Sequence, residues 1–361
     1  MNRLNLRCTS ITGGKLTKSI DVTRYLGISC NPLRGFSQGR FFQNDITQRV
    51  NTKMISGKKW DAVVIGSGFG GSMAALQLAR AGINVLVLER GRWVDRDDSA
   101  WDANAILIER KYRSASPYEA DQWIGRSLIY PDEAIGGNSI FYGAASLRMR
   151  EQDFDALPSQ NSRHAEPIRP AWPFSYEQLA PYYNQAEQLL GVCGVAGSDP
   201  TEPPRDRPYP HLPAPWSKPA QLIVDASEKL GLKPFPIPLA INFSGDGKRP
   251  ACILCSTCDL FPCKIGAKND LSQTVLPEAI KNGASIRPNT IAKRLVRKGH
   301  QITGVECLDS TTGENFTLEC DLCVVSCGAI ASARLLLVSG LGNHLPNGKW
   351  IGKNLMRHCS G

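Results

Sequence analysis

The sequence predicts an α/β fold, a mostly parallel sheet with a dinucleotide-binding turn and a long insertion. Three observations carry that expectation. Residues 61–90 read as strand, glycine turn, helix, strand and terminal acid. Residues 322–339 repeat the strand–glycine–helix pattern near the other end of the chain. Between the two lies a stretch of about 130 residues that breaks the alternation.

The first unit is Rossmann-like. Asp61–Ile65 is a short apolar run, as a buried parallel strand requires. Gly66, Gly68 and Gly71 then form G-x-G-x-x-G. The first glycine permits a tight turn, the second lets backbone approach a pyrophosphate, and the third lets helix pack close to strand. Ser72–Ala81 is a small-residue helix closed by Gly82, and Asn84–Leu88 is the second strand. Glu89 stands 18 residues past Gly71, placed to accept from a ribose diol. A carboxylate there repels a 2′-phosphate, which argues against NADP. The motif alone leaves FAD and NAD open.

Further elements follow in order. Trp101–Arg113 is expected to be a helix, and Tyr176–Leu190 is one by its apolar spacing at Leu179, Tyr182, Tyr183, Ala186, Leu189 and Leu190. Residues 200–215 hold seven prolines and read as a linker. Gln221–Leu230 is a short helix. Residues 285–325 read as short strands with turns at 298–301 and 310–314. Leu322–Val325 then runs through Gly328 into a helix over Ala329–Ser339. The expected organisation is a leader at 1–58, a first dinucleotide-binding part at 59–150, an insertion at 151–283 and a second binding part at 284–361. Insertions of this kind are commoner in FAD domains than in NAD domains, which favours FAD.

Net charge is +9 over 361 residues. Residues 1–58 carry ten Lys/Arg against two Asp/Glu, which leaves the remainder near neutrality. No basic stripe tracks a phosphate backbone, so nucleic-acid binding is not expected. The leader reads as sequence upstream of a start at Met54, as a transit peptide or as a disordered tail. No apolar run approaches the ~20 residues of a transmembrane segment. The twelve cysteines are too irregularly spaced for a secreted disulfide scaffold and fit reduced thiols in a cytoplasmic protein.

Four stretches resemble the glucose–methanol–choline (GMC) family of FAD-dependent oxidoreductases. They are the fingerprint with Glu89, IGGNSIFYGAA at Ile135–Ala145, the segment Trp172–Val192, and GAIASARLLLVSGLG at Gly328–Gly342. The last departs from the family at Ala333, where Pro or Ser is usual. A fifth stretch, Ile351–His358, is similar to one in the family's alcohol oxidoreductases. The resemblance implies oxidation of a small-molecule alcohol or sugar at a CH–OH group, with FAD taking the hydride and an external acceptor taking the electrons. It implies cofactor-binding roles for Gly66, Gly68, Gly71, Glu89, Gly136, Gly137, Ser139, Gly143 and Ala292, with Tyr142 near the isoalloxazine edge. The family's catalytic base is a His paired with His or Asn in a C-terminal region, which is not matched here. No catalytic residue is therefore assigned, and a truncated, catalytically inactive FAD-binding fragment is the alternative expectation. An NAD-linked dehydrogenase is the third reading.

Cys252, Cys255, Cys258 and Cys263 stand as C-x2-C-x2-C-x4-C before an Ala-Lys pair. Such spacing can bring several thiolates to one metal. The stretch resembles one seen in some GMC members, and some dehydrogenases of the family carry a small iron–sulfur cluster beside FAD, so a cluster relaying electrons is an expectation here. Cys320, Cys323 and Cys327 read as core thiols.

Overall fold

The computed structural model describes residues 58–122, 125–156, 171–245, 247–353 and 355. The leader, His164, Asn354 and residues 356–361, which include His358, lie outside them. Strand β1 (Trp60–Ile65) leads through the glycine turn into helix α1 (Phe69–Arg80) and back to β2 (Val85–Leu88). The apolar run of β1 exists because the strand is flanked on both sides. It pairs in parallel with β2, Val63 opposite Leu86, and with β8 (Asn315–Val325), Val63 opposite Cys323.

The sheet has six strands, in the order β5-β2-β1-β8-β7-β6, with β5 at Ser285–Arg287, β6 at Thr290–Lys298 and β7 at Gln301–Asp309. Its β5-β2-β1-β8 part is parallel, and β8-β7-β6 is an antiparallel meander. One long strand serves both. Residues 315–319 of β8 pair with β7, and residues 320–325 pair with β1. The dinucleotide turn and the meander are thus joined through a single continuous strand.

Two cores form, one on each face. Ala62, Val64, Val85 and Val87 point to the first, where α1 packs with α4 (Val275–Lys281). Leu190, Val192, Ile241 and Leu271 enter that same core, so residues of the 151–283 stretch are packed against the fingerprint unit. Val63, Leu86, Val305, Leu318 and Leu335 of α5 (Ala329–Val338) form the second. Cys307 and Cys320 are buried there, and Cys323 and Cys327 pack against it.

Helix α2 (Tyr176–Leu190) starts and stops where its residues dictate. Ser175 opens it in a capping box with Gln178, and Gly191 ends it in the left-handed conformation. A buried ionic network fixes it. Arg148 forks onto Glu187 with two 2.7 Å bonds, and Arg205 reaches the same carboxylate at 2.6 Å. Helix α3 (Lys218–Lys229) is capped by the Ser217 hydroxyl.

One expectation is corrected. Residues 101–113 are not one helix but two separate short turns, Asp98–Trp101 and Asn104–Ile108. Asp97 and Asp102 each bond a backbone N–H two residues on, which starts a new turn instead of continuing the old one. A hairpin of β3 (Tyr118–Gln122) and β4 (Gly125–Ile129) and helix α4 were not foreseen.

Candidate functional site

The glycine turn is shaped from two directions. A Cβ on Gly71 would overlap the Gly66 carbonyl, and one on Gly66 would overlap the Ser326 carbonyl. These two glycines are therefore required by the protein itself. Gly68 differs, because no atom lies within 4 Å of its missing Cβ. It begins α1, whose first turn carries no acid and whose cap has no side-chain hydrogen bond. That leaves backbone N–H groups and a positive dipole end facing open space.

The second glycine loop faces the first. Gly136 and Gly137 both have positive φ, 99° and 57°. A Cβ on Gly137 would come within 2.9 Å of the Gly68 Cα, so the two turns approach as only glycines permit. Ser139 is fully buried. Its hydroxyl donates to the Gly136 carbonyl at 2.7 Å and accepts from the Leu271 N–H at 3.0 Å, so it shapes the loop from behind. Gly143 lies further along, where a Cβ would only touch Asp259 at 3.7 Å. Tyr142 meets Phe69 edge-on with ring centroids 5.5 Å apart. Burial, with the Asp270 charge, raises the Tyr142 phenol above its ordinary value.

Glu89 ends β2 and is buried. Its backbone N–H donates to Arg287, and its carbonyl accepts from Thr290 at 2.8 Å. Its carboxylate accepts from Ser67 N–H, from Ser67 Oγ and from Gly91 N–H, at 2.9, 2.7 and 3.0 Å. A carboxylate offers about four acceptor positions, so one remains for a ligand hydroxyl. Ala292 sits on β6 two residues beyond Thr290, opposite Cys307 and just before a bulge.

Cys252, Cys255, Cys258 and Cys263 lie on one loop, and among the described residues no group of three or more His, Cys, Asp or Glu is placed to hold a metal ion. Burial raises the Cys252 thiol and pushes Cys258 up to about 11. The segment has another task, which spacing could not reveal. Lys268 is fully buried, and its ammonium donates to the carbonyls of Ile140, Tyr142, Cys258 and Phe261 at 2.6 to 3.0 Å. Two of these belong to the glycine loop and two to the cysteine loop. Leu260 N–H adds a 2.6 Å bond to the Phe141 carbonyl. The cysteine loop is thereby clamped onto the wall of the cradle.

The described histidines lie elsewhere. His211 bridges the Cys193 strand segment through its backbone, His300 is in the β6–β7 turn, and His344 contacts Arg297 at 3.1 Å.

Residues 60–360 match the family described as GMC oxidoreductase. The chain belongs to that family. GMC oxidoreductases use FAD. The chain is 35% identical over 295 residues to 6‴-hydroxyparomomycin C oxidase of Streptomyces lividus, covering 79% of this chain and 52% of that protein. It is 29% identical to 2-methyl-1,2-propanediol dehydrogenase of Mycolicibacterium austroafricanum, covering 84% and 56%. The chain thus spans about half the length of the curated relatives it matches. These relatives are enzymes that act on alcohol groups. Among solved structures, an FAD-dependent oxidoreductase from Chaetomium thermophilum superposes with a TM-score of 0.53 at 16% identity, over 78% of this chain and 47% of that one, a likeness of fold. No described helix is long and apolar enough to cross a membrane.

Proposed function

We propose that this GMC chain binds FAD in the cradle between its two glycine turns and serves oxidation of a CH–OH group in a small alcohol or sugar. The observation that carries the reading is the open face at Gly68. Its neighbours Gly66 and Gly71 are crowded by the protein, a Cβ on Gly137 would come within 2.9 Å of its Cα, and its own outer side is free. Only a ligand lying on the backbone explains a glycine that the fold itself does not need. The cradle fits FAD in three respects. Its helix end is uncapped, its acidic residue retains an acceptor position, and its second glycine turn leads on to an aromatic pair.

Each residue then has a physical task. The N–H groups at the start of α1 take the pyrophosphate charge, with Gly68 and Gly137 allowing contact at backbone distance. Glu89 accepts from a hydroxyl of the adenosine ribose. Tyr142 and Gly143 border the flavin end. Lys268 keeps that border fixed through the carbonyls of Ile140 and Tyr142. When bound, FAD would supply the hydride acceptor for the alcohol carbon, and an external acceptor would take the electrons. An oxidase and a dehydrogenase are both among the relatives, which leaves oxygen and other electron carriers as candidate acceptors.

The test is direct. The purified chain is expected to retain yellow flavin that is released as FAD on denaturation, and to reduce a dichlorophenol dye with polyols or amino-sugar alcohols without added NAD. Bound FAD with no turnover supports the binding site alone. Dye reduction that requires NAD and no flavin overturns the reading.

A further inference from the structure

We propose that Ser67 is a positioning residue for the adenosine ribose, acting through Glu89 and the second glycine loop. The G-x-G-x-x-G pattern leaves this position free, and nothing in the spacing of the motif singles it out. The structure makes it the link between three parts of the cradle. Ser67 is fully buried. The Gly136 N–H donates to its Oγ at 2.9 Å, and the Oγ–H donates to Glu89 Oε2 at 2.7 Å. The Ser67 backbone N–H reaches the same Oε2 at 2.9 Å. A hydroxyl has one proton. Since the Gly136 N–H already points at the oxygen, that proton is committed to the carboxylate, and the direction of the relay is fixed.

The consequence is a division of the Glu89 carboxylate. Oε2 takes both Ser67 donors and has no acceptor position left, while Oε1 takes only the Gly91 N–H at 3.0 Å. Oε1 therefore holds the remaining position, and it is aimed by the bonds on the other oxygen. With Ser67 lacking its hydroxyl, Glu89 loses one of two anchors on Oε2. At the same time the Gly136 N–H, whose loop faces Gly68, loses its acceptor inside the protein. Both losses fall on the groups that meet the dinucleotide. This inference rests on the FAD reading above and adds to it the residue that presents the ribose acceptor.

The experiment measures flavin affinity by fluorescence quenching on apoprotein for wild type, Ser67→Ala, Glu89→Gln and the double variant. FAD is compared with an analogue whose adenosine ribose lacks its hydroxyls. Wild type is expected to prefer FAD. Ser67→Ala is expected to weaken FAD about tenfold or more, in line with one charge-assisted hydrogen bond, and to lose most of the preference over the analogue. The double variant is expected to be little worse than Glu89→Gln, because the two residues act on one hydroxyl. Equal weakening toward FAD and analogue, or additive single effects, would overturn the proposal and leave Ser67 a packing residue. If Ser67→Ala does not fold, Ser67→Cys keeps the volume with a much weaker donor and gives the same readings. Wild type that binds no flavin would instead overturn the FAD reading itself.

Discussion

The substitution Lys268→Met isolates the clamp between the cysteine loop and the flavin-side wall. Methionine keeps an unbranched stem of similar volume, so the change removes the ammonium and little else. Four carbonyls lose their donor: Ile140, Tyr142, Cys258 and Phe261. An ammonium has only three N–H groups to share among them, so about three hydrogen bonds are lost, and at roughly 2 kcal/mol each that gives about 6 kcal/mol in all. Against this stands the relief of not burying a charge. Burial pushes Lys268 down from 10.5 to about 8, and at about 1.4 kcal/mol per pH unit that is worth roughly 3 kcal/mol. The expected net loss is about 3 kcal/mol.

The loop itself makes that loss local. Leu254, Ser256 and Leu260 all hold left-handed φ between 56° and 68° without being glycine, so the segment stores strain that its docking must hold. The assay is urea unfolding of apoprotein, together with the rate of proteolytic nicking within residues 252–263. Lys268→Met is expected to lower the unfolding free energy by about 3 kcal/mol and to speed nicking in the loop ahead of global unfolding. A loss below about 1 kcal/mol, with unchanged nicking, would refute the reasoning that the ammonium holds the two loops together.

Further predictions follow from the same geometry. Gly68→Ala is expected to melt within a degree or two of wild type yet bind FAD far more weakly, because its Cβ meets no protein atom, whereas Gly71→Ala is expected to lose stability by several kcal/mol by overlapping Gly66; paired melting and flavin titrations separate the two. Glu187→Ala leaves the buried guanidinium groups of Arg148 and Arg205 facing each other, and denaturant titration is expected to show a loss of about 3–5 kcal/mol. Burial alone would raise Asp309, but the Thr311 hydroxyl and N–H and the Arg287 guanidinium outweigh it and hold the carboxyl at about 2, below its ordinary 3.8. Its contribution is therefore present above pH 4 and lost as pH falls from 4 to 2; wild type is expected to lose more stability over that window than Asp309→Asn in urea melts at pH 5 and pH 2.5. Iron and sulfide analysis of anaerobically purified protein tests whether Lys268 alone organises the cysteine loop: neither is expected in stoichiometric amount, and both together would instead support a cluster at Cys252–Cys263.

Much of the fold was legible because it follows local periodicity. The run at residues 61–65, the capping pair Ser175 and Gln178, and the terminating Gly191 each specify their element within a few residues. The same holds for the first glycine turn, where residue type and spacing state a backbone requirement. The short turns at 98–108 were missed because Asp97 and Asp102 read as ordinary helix-surface acids until their N–H partners are known. Helix α4 was missed because it is only seven residues long and carries Pro277 in its first turn.

The site divides along the same line. Residues whose proposed contact with a ligand is made by backbone, such as Gly68 and Gly137, leave a signature in the sequence because only glycine suffices there. Residues that meet other residues do not. Ser67 acts on Glu89 22 positions away and Lys268 on Ile140 128 positions away, and nothing near them marks these partnerships. The cysteine segment is a case in point. C-x2-C-x2-C-x4-C reads as a ligand set because thiols at that spacing can converge, and convergence depends on the backbone path. Here that path passes through three left-handed residues and brings the Cys258 and Phe261 carbonyls to a common point. The point is occupied by the Lys268 ammonium, a cation the chain supplies itself. A buried lysine next to a cysteine-rich loop thus organises its backbone directly, since the Cys258 and Phe261 carbonyls meet the same ammonium as those of Ile140 and Tyr142 and so tie the two loops together.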